Sequence, residues 1–401
     1  MTTPKLANRK ECTGCLACVD TCIHNALSSY IGNDGHYYIQ IDNQACVGCL
    51  RCEKICPVVG GLQYDKSEKS DFYAAWNLNT NERRLSASGG AFSAMAHYVI
   101  DHGGIAIGAD LDDFNDVRHK VITSVEDLKS LQGSKYIQSN TSGIYKQTLV
   151  FLKKGKLVLF SGTGCQIAGL LSFLKGKKYE GRLVTIDLIC GGVPSRLLIK
   201  KFIENEPYQV DKIVSFRTKD TGWKPTGFLY NLKVQDNDGL FHNYAGKKNL
   251  VTTGFGLELT ERYSCYNCKF VGKRRLSDFT IGDLWGDTMY PEEHFNGISL
   301  LVAHNQNAVD LMHDMSDYLH TAPCDENVAT KINFRLVSGL NVRAYTWERR
   351  FMVWLFTNCS YETLKKIYAN DYNLYSPWMI VRVIRFFYIR LLKVLKGINV
   401  L

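Results

Sequence analysis

No apolar segment precedes the first cysteine in the opening stretch "MTTPKLANRKECTGC". A secretory leader needs an apolar core there, so the chain is expected to be cytoplasmic. This absence decides how the fourteen cysteines are read. Disulfides belong to oxidising compartments, and in a reducing one cysteine serves metal or redox chemistry. Two nucleotide signatures are also missing from "LVLFSGTGCQIAGLLSFL", residues 157–174. Ile167 stands where a G-x-G-x-x-G fingerprint needs glycine or alanine, and no Gly-Lys-Ser/Thr follows to make a phosphate loop. No histidine neighbours Cys165, which disfavours an activated nucleophile. The ten histidines are scattered without a pairing that would assign an acid or base. The net charge of +9 is modest, and five of its cations sit in the last 26 residues, which contain no acid. Basicity is therefore a local property of the tail, and no nucleic-acid partner is expected.

What is present is cysteine in a repeated pattern. "CTGCLACVDTC" and "CVGCLRCEKICP" both run C-x2-C-x2-C-x3-C, at Cys12, Cys15, Cys18 and Cys22 and, 34 residues on, at Cys46, Cys49, Cys52 and Cys56. In bacterial two-cluster ferredoxins the first three cysteines of a run bind one cubane and the fourth crosses to the other. Carried over, Cys12, Cys15, Cys18 and Cys56 hold one 4Fe–4S cluster, and Cys46, Cys49, Cys52 and Cys22 the second. Small residues such as Gly14, Ala17 and Gly48 let the backbone wrap a cluster and aim N–H groups at its sulfurs. Structural zinc sites prefer two separated C-x2-C pairs to four cysteines within eleven residues. Ile23 stands where proline is usual after the first run, and Pro57 follows the second as expected.

A length of 401 residues implies two or three domains. The polar stretch "DKSEKS", residues 65–70, suits a linker. Beyond it, strand-like "DFYAAWNL", "GIAIGADL", "KLVLFSGTG" and "LVTIDLICGG" alternate with helix-like segments, which reads as an α/β or α+β domain with a partly parallel sheet. Ser88, Gly89 and Gly90 precede a helix whose apolar face includes Phe92, Met95, Ala96, Val99 and Ile100. Free N–H groups there suit a cofactor phosphate, although Ser-Gly-Gly is more often just a cap and tight turn. Six cysteines remain. Cys165 and Cys190 each follow a strand, Cys265 and Cys268 form a C-x2-C pair, and Cys324 and Cys359 stand apart. The first four could converge on one thiolate site, with zinc, iron–sulfur and plain buried thiols all compatible with the spacing.

"SASGGAFSAMAHYVI", "GSKYIQS", "FSGTGCQIAGL", "ICGGVPS", "FRTKDTGWK" and "SCYNCKFVGKRRLSDFTIGDLWG", in that order, resemble the family of coenzyme F-420 hydrogenase/dehydrogenase beta subunits, which also contains plant 7-hydroxymethyl chlorophyll a reductase. The resemblance spans residues 1 to about 320 and includes the fused ferredoxin module of some branches. It implies FAD, with a further 4Fe–4S cluster beside the flavin held by Cys165, Cys190, Cys265 and Cys268. Ser88, Gly89, Gly90, Ser134, Lys135 and Tyr136 match segments lining the FAD site. Gly164 stands where the family usually has proline. Arg217, Lys219 and Lys224, flanked by Trp223, form a cationic loop suited to an anionic substrate, or a solvated loop around a buried tryptophan. Asp283, Trp285 and Asp287 lie just downstream of the C-x2-C pair, with Asp283 read as a turn residue after a short strand.

Residues 376–401 place Arg382, Arg385, Arg390, Lys393 and Lys396 within an arc of about 140° at 100° per residue, opposite Ile380, Val383, Ile384, Phe387, Leu391, Val394 and Leu395. Charges interrupt this basic amphipathic helix too often for a membrane span. It suits an anionic membrane surface, a partner or its own domain, and Trp378, Phe386 and Tyr388 tip the reading towards a peripheral position at the inner membrane surface.

The expectation is an α+β protein: a bacterial-type ferredoxin domain at 1–64, a mixed α/β flavin-binding domain at 71–320 and a helical C-terminal region at 321–401. Three 4Fe–4S clusters and one FAD would pass electrons between ferredoxin, or another low-potential carrier, and coenzyme F-420 or another organic substrate. The alternatives are a non-catalytic relay subunit wiring a partner enzyme to ferredoxin, and a zinc-stapled binding protein.

Overall fold

The computed structural model describes residues 2–60, 62, 70–112, 116–206, 208–217, 219, 222–223, 231–245, 251, 255, 258, 260–273, 275–286, 288–340 and 346–368. Most of the linker, Lys224, Asp287 and the tail from 376 to 401 lie outside the described residues.

The cysteine repeat is also a repeat of backbone shape. Gly14 and Leu16 in the first run, and Gly48 and Leu50 in the second, are left-handed, with φ of 68°, 60°, 71° and 59°. Each pair turns the chain into a short helix, Ala17–Thr21 and Arg51–Lys54. Two left-handed residues in three coil the backbone tightly, and at Gly14 and Gly48 that conformation costs little only because no Cβ is present. A hairpin of β1 (Leu27–Ile31) and β2 (Tyr37–Ile41) joins the two halves. Ala26, Leu27 and Cys52 fill the small core between them.

The larger body is built on strands β3 (Asp71–Asn77), β4 (Ile105–Leu111), β5 (Val117–Ile122), β6 (Val158–Thr163), β7 (Leu183–Leu188), β11 (Phe279–Asp283), β12 (Ser299–Ala303) and β13 (Leu319–Pro323). They form one sheet in the order β13-β3-β12-β11-β7-β6-β4-β5. The central strands β4, β6, β7 and β11 are parallel, and the flanks are antiparallel. The apolar runs of the sequence fit this arrangement, since a central parallel strand is covered on both faces. On β6, Leu159 points into one core with Met95, Val99, Leu311 and Met312. Its neighbours Val158 and Phe160 point into the other, with Ile144, Leu152, Ile167 and Leu170. The result is a helix–sheet–helix sandwich.

A second, three-stranded antiparallel sheet, β8 (Val210–Ser215), β9 (Asn231–Asp236) and β10 (Phe241–Ala245), packs with the helix Arg196–Asn205. The helices Thr346–Asn358 and Tyr361–Tyr368 add Leu355, Phe356, Tyr361 and Leu364 to that same core. A division after residue 320 therefore falls inside β13, which pairs with β3, and the helices that follow share cores with the preceding body. Among the described residues no helix is long and apolar enough to cross a membrane.

Candidate functional site

The fold gathers twelve thiols into three groups. Cys15 and Cys18 are coupled through space to Cys12 and Cys56. Cys52 is coupled to Cys49 and Cys22, and Cys46 packs into the same small core. Cys165, Cys190, Cys265 and Cys268 are mutually coupled, although 103 residues separate the first from the last. Cys324 and Cys359 stand outside all three groups.

Burial pushes the Cys15 thiol up to about 12 and the Cys190 thiol up to about 11, with neighbouring thiols adding to the effect of burial. Cys165, Cys265 and Cys268 rise for the same first cause. Four buried thiolates repel one another, and ligated metal removes that penalty by replacing the protons. Among the described residues no three His, Cys, Asp or Glu side chains close around one point as the ligands of a lone ion would.

Cys165 is the second residue of the helix Gly164–Leu174. At that helix start Thr163 and Gln166 form a reciprocal capping box, which engages the N–H groups of Thr163 and Gln166. Thr163 Oγ1 also lies 3.2 Å from Cys165 Sγ. Gln166 Nε2 donates to Ser139 Oγ at 2.9 Å, that hydroxyl meets His119 Nδ1 at 3.0 Å, and His119 Nε2 faces the Ser161 carbonyl at 2.9 Å. Gly164 occupies the first helical position, one that also accepts proline, so the departure from the family pattern leaves the helix start intact.

The N-terminal module is seated directly against this helix. The Thr141 and Tyr145 hydroxyls both donate to the Cys15 carbonyl at 2.8 Å, and Tyr145 Oη also reaches the Gln166 carbonyl at 3.2 Å. Arg262 Nε donates to the Cys12 carbonyl, and Gln138 Nε2 to that of Thr13. The Asp20 carboxylate accepts from the N–H groups of Gly143 and Tyr145. A Cβ on Gly169 would stand 3.1 Å from Cys15 Sγ, so the close approach depends on glycine there. The thiol groups thus follow one another in space: Cys18 is coupled to Cys52, and Cys15 to Cys165.

The third group borders a cleft of about 650 Å³. It opens where β6, β7 and β11 end, the usual position for a ligand on an open parallel sheet. Cys165 and Cys190 form part of its wall, together with Ser88, Gly90, Ser134, Lys135, Tyr136 and Arg217. The helix Ala91–Asp101 begins at Gly90, which has φ of 83°, and no side chain caps it. The helix Phe334–Ser338 also starts at the cleft without a side-chain cap, but it is only five residues long. Gly89 is not on the wall: a Cβ there would meet the Ala75 carbonyl at 2.4 Å and the Ser299 nitrogen at 2.5 Å. Lys135 donates to the carbonyls of Ser130 and Gln132, and burial lowers its pKa to about 7.

The cationic loop divides its residues between roles. Arg217 makes a two-pronged pair with Asp283 at 2.8 and 3.1 Å and lies over the Trp285 ring. Burial opposes its charge, but Asp283 and Tyr136 more than compensate and raise its pKa. Asp283 is thus the last residue of β11 and an ion-pair partner, where a turn residue was expected. Lys219 is held by the carbonyls of Arg83, Ser88 and Asn296 and does not line the cleft. Trp223 is buried and stacked on Trp285, with ring centroids 4.2 Å apart. Sequence reasoning missed the Thr163–Gln166–Ser139–His119 chain and the buried pair of Arg275 with Asp187 at 2.9 Å behind the third group. Arg275 lies in the quoted "KRRLSDF" stretch, where nothing in the letters distinguishes it from its basic neighbours.

Thiols in matched groups, one group bordering a large cleft, define the class of the protein: an iron–sulfur protein of redox type. Residues 11–59 match the model of the 4Fe-4S dicluster domain, and residues 155–327 that of the C terminus of the coenzyme F-420 hydrogenase/dehydrogenase beta subunit. Residues 155–327 thus carry the C-terminal domain of this family, and residues 11–59 the dicluster domain. The F-subunit of the F(420)H(2) dehydrogenase of Methanosarcina mazei is 25% identical over 199 residues, which are 47% of this chain and 56% of that protein. The ketoisovalerate oxidoreductase subunit VorC of Methanothermobacter marburgensis is 31% identical over 58 residues, 14% of this chain and 73% of that one. This chain thus matches little more than half the length of the first relative. A chain of the F-420-reducing NiFe hydrogenase complex of Methanosarcina barkeri overlaps 69% of this chain and 92% of its own length, at 16% identity and a TM-score of 0.44. That overlap is too loose to bear on function.

Proposed function

We propose that the chain is an iron–sulfur flavoprotein oxidoreductase in which three 4Fe–4S clusters and one FAD pass electrons between a ferredoxin-type carrier and an organic substrate such as coenzyme F-420. The observation that carries this reading is the three-way grouping of thiols, with the third group contributing Cys165 and Cys190 to the cleft wall. Cys12, Cys15, Cys18 and Cys56 would hold the inner cluster of the module, and Cys46, Cys49, Cys52 and Cys22 the outer one. Cys165, Cys190, Cys265 and Cys268 would hold the third. Ligand sets made only of cysteine, eight of them in two C-x2-C-x2-C-x3-C runs, suit cubanes better than single zinc ions.

The cleft also suits a flavin nucleotide. Its volume is within the range of roughly 300–1,000 Å³ usual for small-molecule sites. The uncapped helix start at Gly90 and Ala91 offers N–H donors to a phosphate, and Ser88, Ser134, Lys135 and Tyr136 stand around it. Cubanes move electrons singly and a flavin handles one or two, so FAD beside the third cluster would join single-electron supply to hydride chemistry. Lys135 brings to the wall an amine held by two backbone carbonyls, and Arg217 brings a cation balanced by Asp283. Of the two described loop cations, Arg217 is thus the one placed to meet substrate.

A relay subunit without its own substrate is the second reading, and it is favoured by the naming of both relatives as subunits. Anaerobic reconstitution followed by reduced ferredoxin separates the two. The enzyme reading expects bound FAD that bleaches and is reoxidised by an organic acceptor. A protein that takes up iron but never FAD leaves only the relay.

A further inference from the structure

The hydrogen-bonded chain that ends at Cys165 has a direction, and its two ends settle it. The Ser161 carbonyl can only accept, so His119 Nε2 carries the ring hydrogen that faces it at 2.9 Å. Burial lowers the His119 pKa to about 4 and keeps the ring neutral, so Nδ1 accepts and the Ser139 hydroxyl donates to it. Ser139 Oγ in turn accepts from Gln166 Nε2, and the other end of that amide, Oε1, accepts the Thr163 N–H at 2.9 Å. One hydrogen of the chain is left with a choice. It belongs to Thr163 Oγ1, which lies 3.1 Å from Gln166 Oε1 and 3.2 Å from Cys165 Sγ. Gln166 Oε1 already accepts one bond, whereas a ligating Cys165 offers a negative sulfur, and a charged acceptor forms the stronger bond. Cys165 also differs from its three neighbours. Backbone groups of Gly192, Val193 and Phe270 hydrogen-bond Cys190, Cys265 and Cys268, but at Cys165 the partner is a side chain.

We infer that Thr163 raises the reduction potential of the third cluster by donating its hydroxyl hydrogen to the Cys165 sulfur. The inference rests on the proposal that Cys165, Cys190, Cys265 and Cys268 hold a cubane, and it adds which side chain tunes that cubane. Hydrogen bonds to the sulfurs are among the levers a protein has on cluster potential. An added electron makes the sulfurs more negative, so a donor at Cys165 stabilises the reduced form more than the oxidised one. No bond is made or broken, and the hydrogen stays on Thr163. Gln166, Ser139 and His119 are buried and act through Thr163 as positioning residues, holding the amide that anchors its backbone N–H.

The test is an anaerobic redox titration of the full reconstituted chain followed by EPR, the third cluster being the signal absent from Cys165→Ala. Thr163→Val keeps the shape and removes the hydroxyl. It should weaken one-electron reduction of that cluster roughly tenfold, a fall of about 59 mV. The two clusters of the N-terminal module should not shift, the iron content should stay the same, and Thr163→Ser should restore the original potential. A role confined to capping the helix would show in Tm and leave the potential where it was. Should valine cost iron, Thr163→Gly decides by the same titration, since glycine is tolerated at a helix N-cap. An unchanged or raised potential in a variant that keeps its iron overturns the role of Thr163 while the third cluster stands. An unmodified protein with no signal that Cys165→Ala removes overturns the third cluster and the role of Thr163 together.

Discussion

Replacing Arg349 by methionine should loosen the seat of the N-terminal module. Arg349 is 1% exposed on the helix Thr346–Asn358, and its Nη2 lies 2.8 Å from the Asp34 carboxylate of the module, whose side chain is 4% exposed. Its Nε donates to the Glu261 carbonyl, and the guanidinium lies 3.8 Å over the Tyr263 ring. Burial favours the protonated acid at Asp34, but the charges of His36 and Arg349 and the hydrogen bonds from Arg349 and Tyr38 hold it down to about 2. The carboxylate is therefore charged at neutral pH. Without Arg349 it keeps the Tyr38 hydroxyl and Arg9, whose side chain is 46% exposed and screened by water. Breaking a buried ion pair costs about 3–5 kcal/mol, and the remaining partners place this case near the lower end, about 3 kcal/mol. At about 2 cal/mol/K per residue the entropy of unfolding turns that into a fall of only about 4 °C in Tm for this length of chain. Double-mutant analysis gives the sharper reading. Asp34→Leu with Arg349→Met removes both charges, so the pair should lose about 2 kcal/mol less than the sum of the singles. Anaerobic calorimetry of the four proteins measures this. Strict additivity would refute the claim that Asp34 and Arg349 hold the module through their mutual contact.

Cys165→Ala should remove about four of twelve irons, as one cubane requires, and abolish reduction of the flavin by ferredoxin, measured by iron analysis and absorbance; full iron with full electron flow would contradict it. Gly169→Val should keep all iron yet slow electron passage from module to core, because its side chain would press on Tyr145 Oη at 3.0 Å and Cys15 Sγ at 3.1 Å; freeze-quench EPR reads the delay. Acid should destabilise the protein well above the carboxylate range. His36 and His304 are pushed down to about 3 and His119 to about 4, each first by burial. The unfolded chain takes up those protons near 6.5 and the folded one does not, so stability is fullest above that value and declines as pH falls below it. A Tm that stays flat between pH 7.5 and 5 would refute this.

The cysteine runs were legible because their ligand order is local: eight positions in two matched strings, with the left-handed turns following from the same letters. The central strands were legible too, since Val158, Leu159 and Phe160 form an unbroken apolar run that only a two-sided burial explains. The resemblance, not the spacing, singled out Cys165, Cys190, Cys265 and Cys268, and their meeting depends on which strands neighbour one another. The Ser88–Gly90 and Cys165 helix starts looked alike as glycine turns. Only the Thr163–Gln166 capping box separates them, and a box of that kind is visible in the letters as threonine followed three residues on by glutamine. Lys219 and Arg217 are indistinguishable in a basic string. Their carbonyl and carboxylate partners come from segments 66 to 136 residues away, which no local pattern reports.

The central claim is that three thiol groups hold three cubanes beside one flavin, and cofactor stoichiometry tests it most directly. Protein reconstituted and purified without oxygen should contain about 12 iron and 12 acid-labile sulfide per chain, as three cubanes require, together with one FAD. Zinc in place of iron, or two cubanes with the four core thiols still free to react, would contradict it.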